Sequence, residues 1–246
     1  MTLKERLSHS KANSLTLNEH LTELRKRLMV CIGAFFIASI VGFFLYGPLL
    51  RFLLQPYCLA TSNHCNLYVT GPLDGIAVRI QIACFAGLVF SSPVSLFEFW
   101  RFITPGLKSR ERRYAVPFIV VALALFALGA SIAYITLEHA LSWLSSIGGP
   151  DLRPIYNPKQ YLSLVMWMMI IFGAAFEFPV ILVGLEIARV VTWRQLLRWW
   201  RWAVIGITLA SAVFTPSSDP FSMLMLMIPL IVFYFLAIGI GWLLRR

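Results

Sequence analysis

The chain has 246 residues, of which 59% are hydrophobic and only 13% charged, and its mean hydropathy is +0.78. Soluble domains carry about 25% charged residues, so this chain cannot cover its own apolar surface, and a water-soluble globular fold is excluded: the bilayer must act as solvent. The net charge of +10 raises nucleic-acid binding, but the basic residues sit in short segments between apolar runs, as in the cytoplasmic loops of membrane proteins, so no nucleic-acid partner is expected.

The first 28 residues are polar and basic, and no small-residue cleavage site follows the first apolar run, so a cleavable signal peptide is not expected. Thr16 followed three residues later by Glu19 fits a capping box. Leu17, Leu21, Leu24 and Leu28 then form one apolar stripe, with Glu19 and Glu23 on the other side, which predicts an amphipathic cytoplasmic segment over 15–27. No charge lies between Arg27 and Arg51, which sets a first transmembrane helix at about 28–47. Further spans follow at about 79–100, 114–136, 160–185 and 221–243, each able to cross a ~30 Å core at about 1.5 Å per residue. The stretch 202–214 is only 13 residues long before Thr215-Pro216, and we read it with the last span as a short hairpin that locally thins the bilayer. The predicted fold class is all-α: one polytopic membrane domain over 1–246 with six transmembrane helices.

With the N-terminus in the cytoplasm, 17 of the 21 Lys and Arg residues fall on the inner side, which predicts both termini inside and an even number of spans. Tyr46, Trp100, Tyr114, Trp199, Trp200, Trp202 and Trp242 fall at the predicted interfaces as an aromatic belt. Pro93, Pro179 and Pro229 lie inside spans. Each removes a backbone donor and crowds the carbonyl four residues back, so each is expected to kink or end regular helix, and together they could curve the wall into a concave scaffold. No internal repeat is visible, which weighs against inverted-repeat transporter folds. Cys31 and Cys84 read as small core residues in apolar runs, whereas Cys58 and Cys65 share a polar outer loop and are either a disulfide or two free thiols.

Several acids are candidates for function, and each has a plainer structural alternative. Glu23 either pairs with Arg27 one turn on, for about 0.2–0.5 kcal/mol, or is presented outward to a cationic partner. Glu111, a lone acid among Lys108, Arg110, Arg112 and Arg113, is either charge compensation in a solvated loop or a second cytoplasmic carboxylate near Glu23. Two such carboxylates could take two guanidinium groups, selecting Arg over Lys by bidentate geometry. Glu177 sits mid-span in FGAAFEFPV, where a charge costs roughly 2.5–3.5 kcal/mol on insertion scales. It must face protein or water or be neutral, and the Ala175 carbonyl that Pro179 frees is within its expected reach. As an intramembrane acid it also supports a rival reading, a proton-coupled secondary transporter. Asp219, just before Pro220, is either the N-cap of the last helix or a partner contact. Glu98 near the inner interface snorkels or pairs with Arg101. His9, His20, His64 and His139 are scattered, and no metal-ligand spacing, phosphate loop or nucleophile elbow occurs. No catalytic residue, metal or cofactor is expected, and the chain does not read as an enzyme.

At these residues the chain resembles the TatC family. HLTELRKRL (20–28) resembles the family's N-terminal signature and FWRFITPGLKSRERR (99–113) its first cytoplasmic loop. YLSLV (161–165) and FEFPV (176–180) resemble its fourth span, and FTPSSDPFSMLMLMIPL (214–230) its last hairpin. Pro56 in the first outer loop also matches. The resemblance implies a translocase subunit of a bacterial or archaeal cytoplasmic membrane that binds twin-arginine signal peptides of folded precursor proteins. It implies work with TatA- and TatB-type single-span partners, driven by the proton-motive force, and a homo-oligomer within the receptor complex, surrounded by membrane lipid. By the same resemblance Glu23 and Glu111 are the signal-peptide-binding acids, with Arg25, Phe102 and Leu107 lining the same region. Glu177 is the buried acid of the concave face, and Thr215 and Asp219 lie near the partner-helix site. Met223 and Phe235 depart from the family, standing where relatives often carry Gln and Glu, which weakens the case for a polar partner contact on the last span.

Overall fold

The computed structural model describes residues 17–60, 67–69, 71–103, 115–147, 157–187, 190–216 and 219–244. Every regular element among them is a helix: α1 Leu17–Phe44, α2 Tyr46–Ala60, α3 Asp74–Ile103, α4 Ala115–Ile147, α5 Pro158–Ala175, α6 Phe178–Ile187, α7 Trp193–Phe214 and α8 Pro220–Leu244. Among the described residues, five stretches are long and apolar enough to cross a membrane: Thr22–Phe44, Asp74–Phe99, Val116–Ile147, Pro158–Ile187 and Pro220–Leu243. The sixth span is α7. Its 22 residues make it about 33 Å long, although Arg194, Arg198 and Arg201 lower the hydropathy of its first half. Phe36, Ile37, Ile40 and Phe44 of α1 and Ile228, Val232 and Leu236 of α8 all point outward, as side chains do in a bundle whose solvent is hydrocarbon.

Boundaries depart from expectation for local reasons. The described part of the segment 15–27, from Leu17 on, and the span expected at 28–47 up to Phe44 are one helix, α1, since no proline interrupts it. It stops at Phe44, whose carbonyl the ring of Pro48 would crowd. The Leu45 N–H still donates to Val41 O over 3.0 Å, and α2 begins at once with Pro48 in its first turn, where a missing donor costs little. This α2 fills a stretch for which the sequence predicts only loop. The third span runs on to Ile147 instead of 136 because Leu137, Ala140 and Leu141 continue its buried stripe. The span predicted at 202–214 begins at Trp193, where Thr192 and Gln195 form a capping box.

Of the three prolines in spans, only Pro179 ends regular helix, at the break between α5 and α6; α3 runs on through Pro93 and α8 through Pro229. At Pro93 the carbonyl left without a helical donor is that of Val89, and Ser92 Oγ donates to it over 2.7 Å. Neither Cys31 nor Cys84 is a core residue: the first is half-buried and the second exposed, both as free thiols. Cys58 is disulfide-bonded; Cys65 lies outside the described residues.

Small residues set the closest helix approaches. A Cβ at Gly42 of α1 would lie 2.5 Å from Ala86 Cβ of α3, and Gly87 of α3 closes on Ser39 and the Phe35 carbonyl of α1. Across α4 and α5, Gly129 sits against the backbone of Phe172, and Gly173 against the ring of Phe126. Such contacts let backbones pack where lipid supplies no hydrophobic drive. The core centres on α5, whose Tyr161, Leu162, Val165, Met168 and Phe172 are fully or almost fully buried in one cluster with Leu53 of α2, Leu137 of α4 and Leu226 and Tyr234 of α8.

Candidate functional site

The antiparallel register that seats Gly42 on Ala86 also brings Arg27 of α1 to Glu98 of α3. Arg27 Nη1 donates to Glu98 Oε2 over 3.0 Å, and Nη2 donates to Glu23 Oε1 one turn back. The Arg27 and Glu98 side chains are 14% and 12% exposed, and Glu23 is 30% exposed. Arg101 lies farther off, 3.9 Å from the other Glu98 oxygen. A planar guanidinium can fork between two carboxylates in this way, and its charge-assisted bonds are stronger than exposed ion pairs. The two expectations for Glu23 and Glu98 therefore meet in one cluster: two carboxylates on two helices share one resident cation. Chain separation hid the join, since Glu98 stands 71 residues after Arg27.

Arg25 is exposed on α1, beside this cluster in sequence. Phe102 lies within α3; its side chain, like Leu107 and Glu111, lies outside the described residues.

Glu177 sits at the break between α5 and α6 and is buried. Its N–H donates to Ala174 O over 3.1 Å, and its carbonyl accepts from the Ile181 N–H over 3.1 Å. Its Oε1 is buried without a hydrogen-bond partner, so that oxygen does not make the expected contact with the Ala175 carbonyl.

Thr215 and Asp219 lie in the turn between α7 and α8. His139, toward the far end of α4, stacks on Phe221 with ring centroids 5.2 Å apart, which places this turn at the opposite end of the bundle from Glu98. Thr215 Oγ1 donates to Ser211 O over 2.5 Å. Asp219 Oδ1 accepts from the Ser222 N–H over 2.6 Å and caps α8. Both side chains are almost fully buried.

Sequence reasoning missed Glu186. It is buried near the end of α6, and its carboxylate occupies the space that a Cβ at Gly241 of α8 would need. Beside it, Tyr234 Oη donates to the Leu196 carbonyl of α7 over 2.7 Å. A polar residue inside an apolar run was the available signal. Between α4, α6 and α8 lies a purely apolar cavity of 330 Å³, lined by Phe118, Val121, Pro179, Val183, Phe233 and Ala237 among others.

The described residues thus form an all-α, multi-pass membrane protein with acids at three depths: a guanidinium-bridged pair at one end, one at a mid-span break and one capping the hairpin at the other end. The comparisons identify the type. Residues 19–229 match the family model for TatC, the Sec-independent protein translocase protein. The chain is 41% identical over 240 residues to the TatC of Frankia casuarinae, covering 93% of this chain and 66% of that protein. It is 34% identical over 235 residues to the TatC of Aquifex aeolicus, covering 94% and 97%. A crystal structure of the twin-arginine translocase receptor TatC superimposes with a TM-score of 0.78 at 33% identity, over 93% of this chain and 100% of that one. A second, in DDM, gives 0.77 at 33% identity over 91% and 99%. The chain belongs to the TatC family, a family of protein translocase components and not of enzymes.

Proposed function

We propose that the end of the bundle carrying Glu23, Arg27 and Glu98 is cytoplasmic and receives the twin-arginine signal peptides of folded precursor proteins. The observation that carries this reading is the cluster itself: the Glu23 carboxylate already engages a guanidinium, the group that a twin-arginine motif would present. Glu111 is the second acid of the docking surface, with Arg25, Phe102 and Leu107 around it. The basic residues between spans put both termini in the cytoplasm of a bacterial or archaeal cell. TatA- and TatB-type single-span proteins, met in part at the α7–α8 turn around Thr215 and Asp219, complete the export machinery as an assembly holding more than one copy of this chain. Transport draws on the proton-motive force, with Glu177 as the polar residue of the intramembrane face.

Site-specific crosslinking of a twin-arginine signal peptide to the full-length protein in membranes tests this. Crosslinking should weaken in Glu23→Ala and in Glu111→Ala and fall furthest in the double variant. Unchanged crosslinking in the double variant would reject the docking surface.

A further inference from the structure

We infer that Arg27 is a built-in competitor for the signal peptide's arginine, and that Glu98 is the acceptor that holds Arg27 when the incoming arginine takes Glu23. The inference rests on the reading of Glu23 as a signal-peptide-binding acid.

Two features of the cluster carry it. First, Arg27 already occupies the face of Glu23 that a ligand guanidinium needs: its Nη2 donates to Glu23 Oε1. A ligand arginine therefore binds by exchange, and its net gain is the difference between two like interactions. Second, Arg27 has somewhere to stay. Its Nη1 is bonded to Glu98 Oε2 at 3.0 Å, and Glu98 is the more buried of the two acids. Losing the Glu23 bond leaves Arg27 ion-paired, so its charge is not stranded in a partly buried site, which would be expensive.

The exchange sets overall affinity: a resident competitor lowers the affinity of every cation that needs Glu23 by the same factor. The preference for arginine over lysine comes from the fork that a ligand guanidinium, unlike an ammonium, can offer a carboxylate.

The test is a fluorescence titration of the full-length protein in lipid nanodiscs with a labelled twin-arginine signal peptide and its twin-lysine counterpart. Glu23→Gln should weaken twin-arginine binding, as the docking reading itself requires. Arg27→Gln should tighten twin-arginine and twin-lysine binding alike, by about two- to tenfold. Glu98→Gln should weaken twin-arginine binding, because Arg27 then leans wholly on Glu23. A purely structural join between α1 and α3 predicts the opposite sign for Arg27→Gln. Weaker or unchanged binding in Arg27→Gln, with Glu23→Gln still impaired, would overturn the exchange and leave the docking reading intact. Full binding in Glu23→Gln would remove the docking reading as well. Should Arg27→Gln fail to fold, Arg27→Lys carries the test: it keeps the charge but loses the fork, so tighter binding supports the exchange and equal or weaker binding overturns it.

Discussion

The hydroxyl of Tyr134 in α4 donates to the carbonyl of Phe52 in α2 over 2.8 Å, and Phe52 stands four residues before Pro56. Inside α2, Pro56 has no N–H to offer that carbonyl. The tyrosine supplies the missing donor from another helix, and its ring stacks on Phe52 with centroids 4.5 Å apart and planes 5° from parallel. The next carbonyl, that of Leu53, accepts from the buried Tyr161 hydroxyl of α5, also over 2.8 Å. A proline that weakens α2 as an isolated helix thereby gives it an acceptor that ties it to the spans.

Tyr134→Phe keeps the ring and loses only what the hydroxyl makes, the bond to Phe52 and a longer one to Gln55 Oε1. It should lower stability by about 1 kcal/mol, within the range for interhelical hydrogen bonds in membranes, seen as a lower Tm of the purified protein in detergent. Pro56→Ala puts an N–H where the Phe52 carbonyl needs it. In that background Tyr134→Phe should cost distinctly less. Equal losses in both backgrounds would mean that the hydroxyl acts independently of Pro56, through Gln55 Oε1, which also accepts from it over 3.3 Å.

Close helix approach gives a second expectation, graded by what each glycine touches. A Cβ at Gly129 would lie 2.5 Å from the Phe172 carbonyl oxygen and 2.9 Å from its carbon. These are backbone atoms of the most buried span and cannot swing aside. Gly129→Ala should destabilise by about 1–3 kcal/mol, as overpacking does. Gly33 of α1 has nothing within 4 Å of such a Cβ, so Gly33→Ala should be neutral or stabilising by up to about 1 kcal/mol through helix propensity. Thermal unfolding of the two variants in the same detergent checks the ranking, and similar losses in both would remove the steric account.

The long apolar runs were legible because a bilayer imposes a minimum length and an absence of charge. The Glu23–Arg27 pair and the Asp219 cap were legible because both are local, reaching four residues or fewer. What escaped depended on distance in the chain. The bond between Arg27 and Glu98 needs the α1–α3 register, which Gly42, Ala83 and Ala86 set and no local pattern reveals. Helix α2 escaped because Gly47-Pro48 and Pro56 read as loop punctuation, whereas one proline sits in a first turn and the carbonyl freed by the other is met by Tyr134. The early start of α7 escaped because arginines and tryptophans end an apolar run without ending a helix. At Thr192 and Gln195 the capping box was present in the sequence but fell outside the apolar stretch.

The turn between α7 and α8 separates two roles for Asp219. Its Oδ1 accepts the Ser222 N–H at 2.6 Å, a bond that asparagine can also accept and alanine cannot. Asp219→Ala should therefore lose about 1 kcal/mol of stability, the usual cost of removing an N-cap, and more if the buried Ser222 N–H finds no water. Asp219→Asn should keep most of it. Its other oxygen, Oδ2, is buried without a hydrogen-bond partner, so the cap uses only one half of the carboxylate. If the acid serves the fold alone, the Asn variant should export a twin-arginine reporter at the wild-type rate while the Ala variant loses export in step with its lower Tm. Export lost in Asp219→Asn at unchanged Tm would assign the negative charge itself to contact with a partner, because the cap is conserved in that variant.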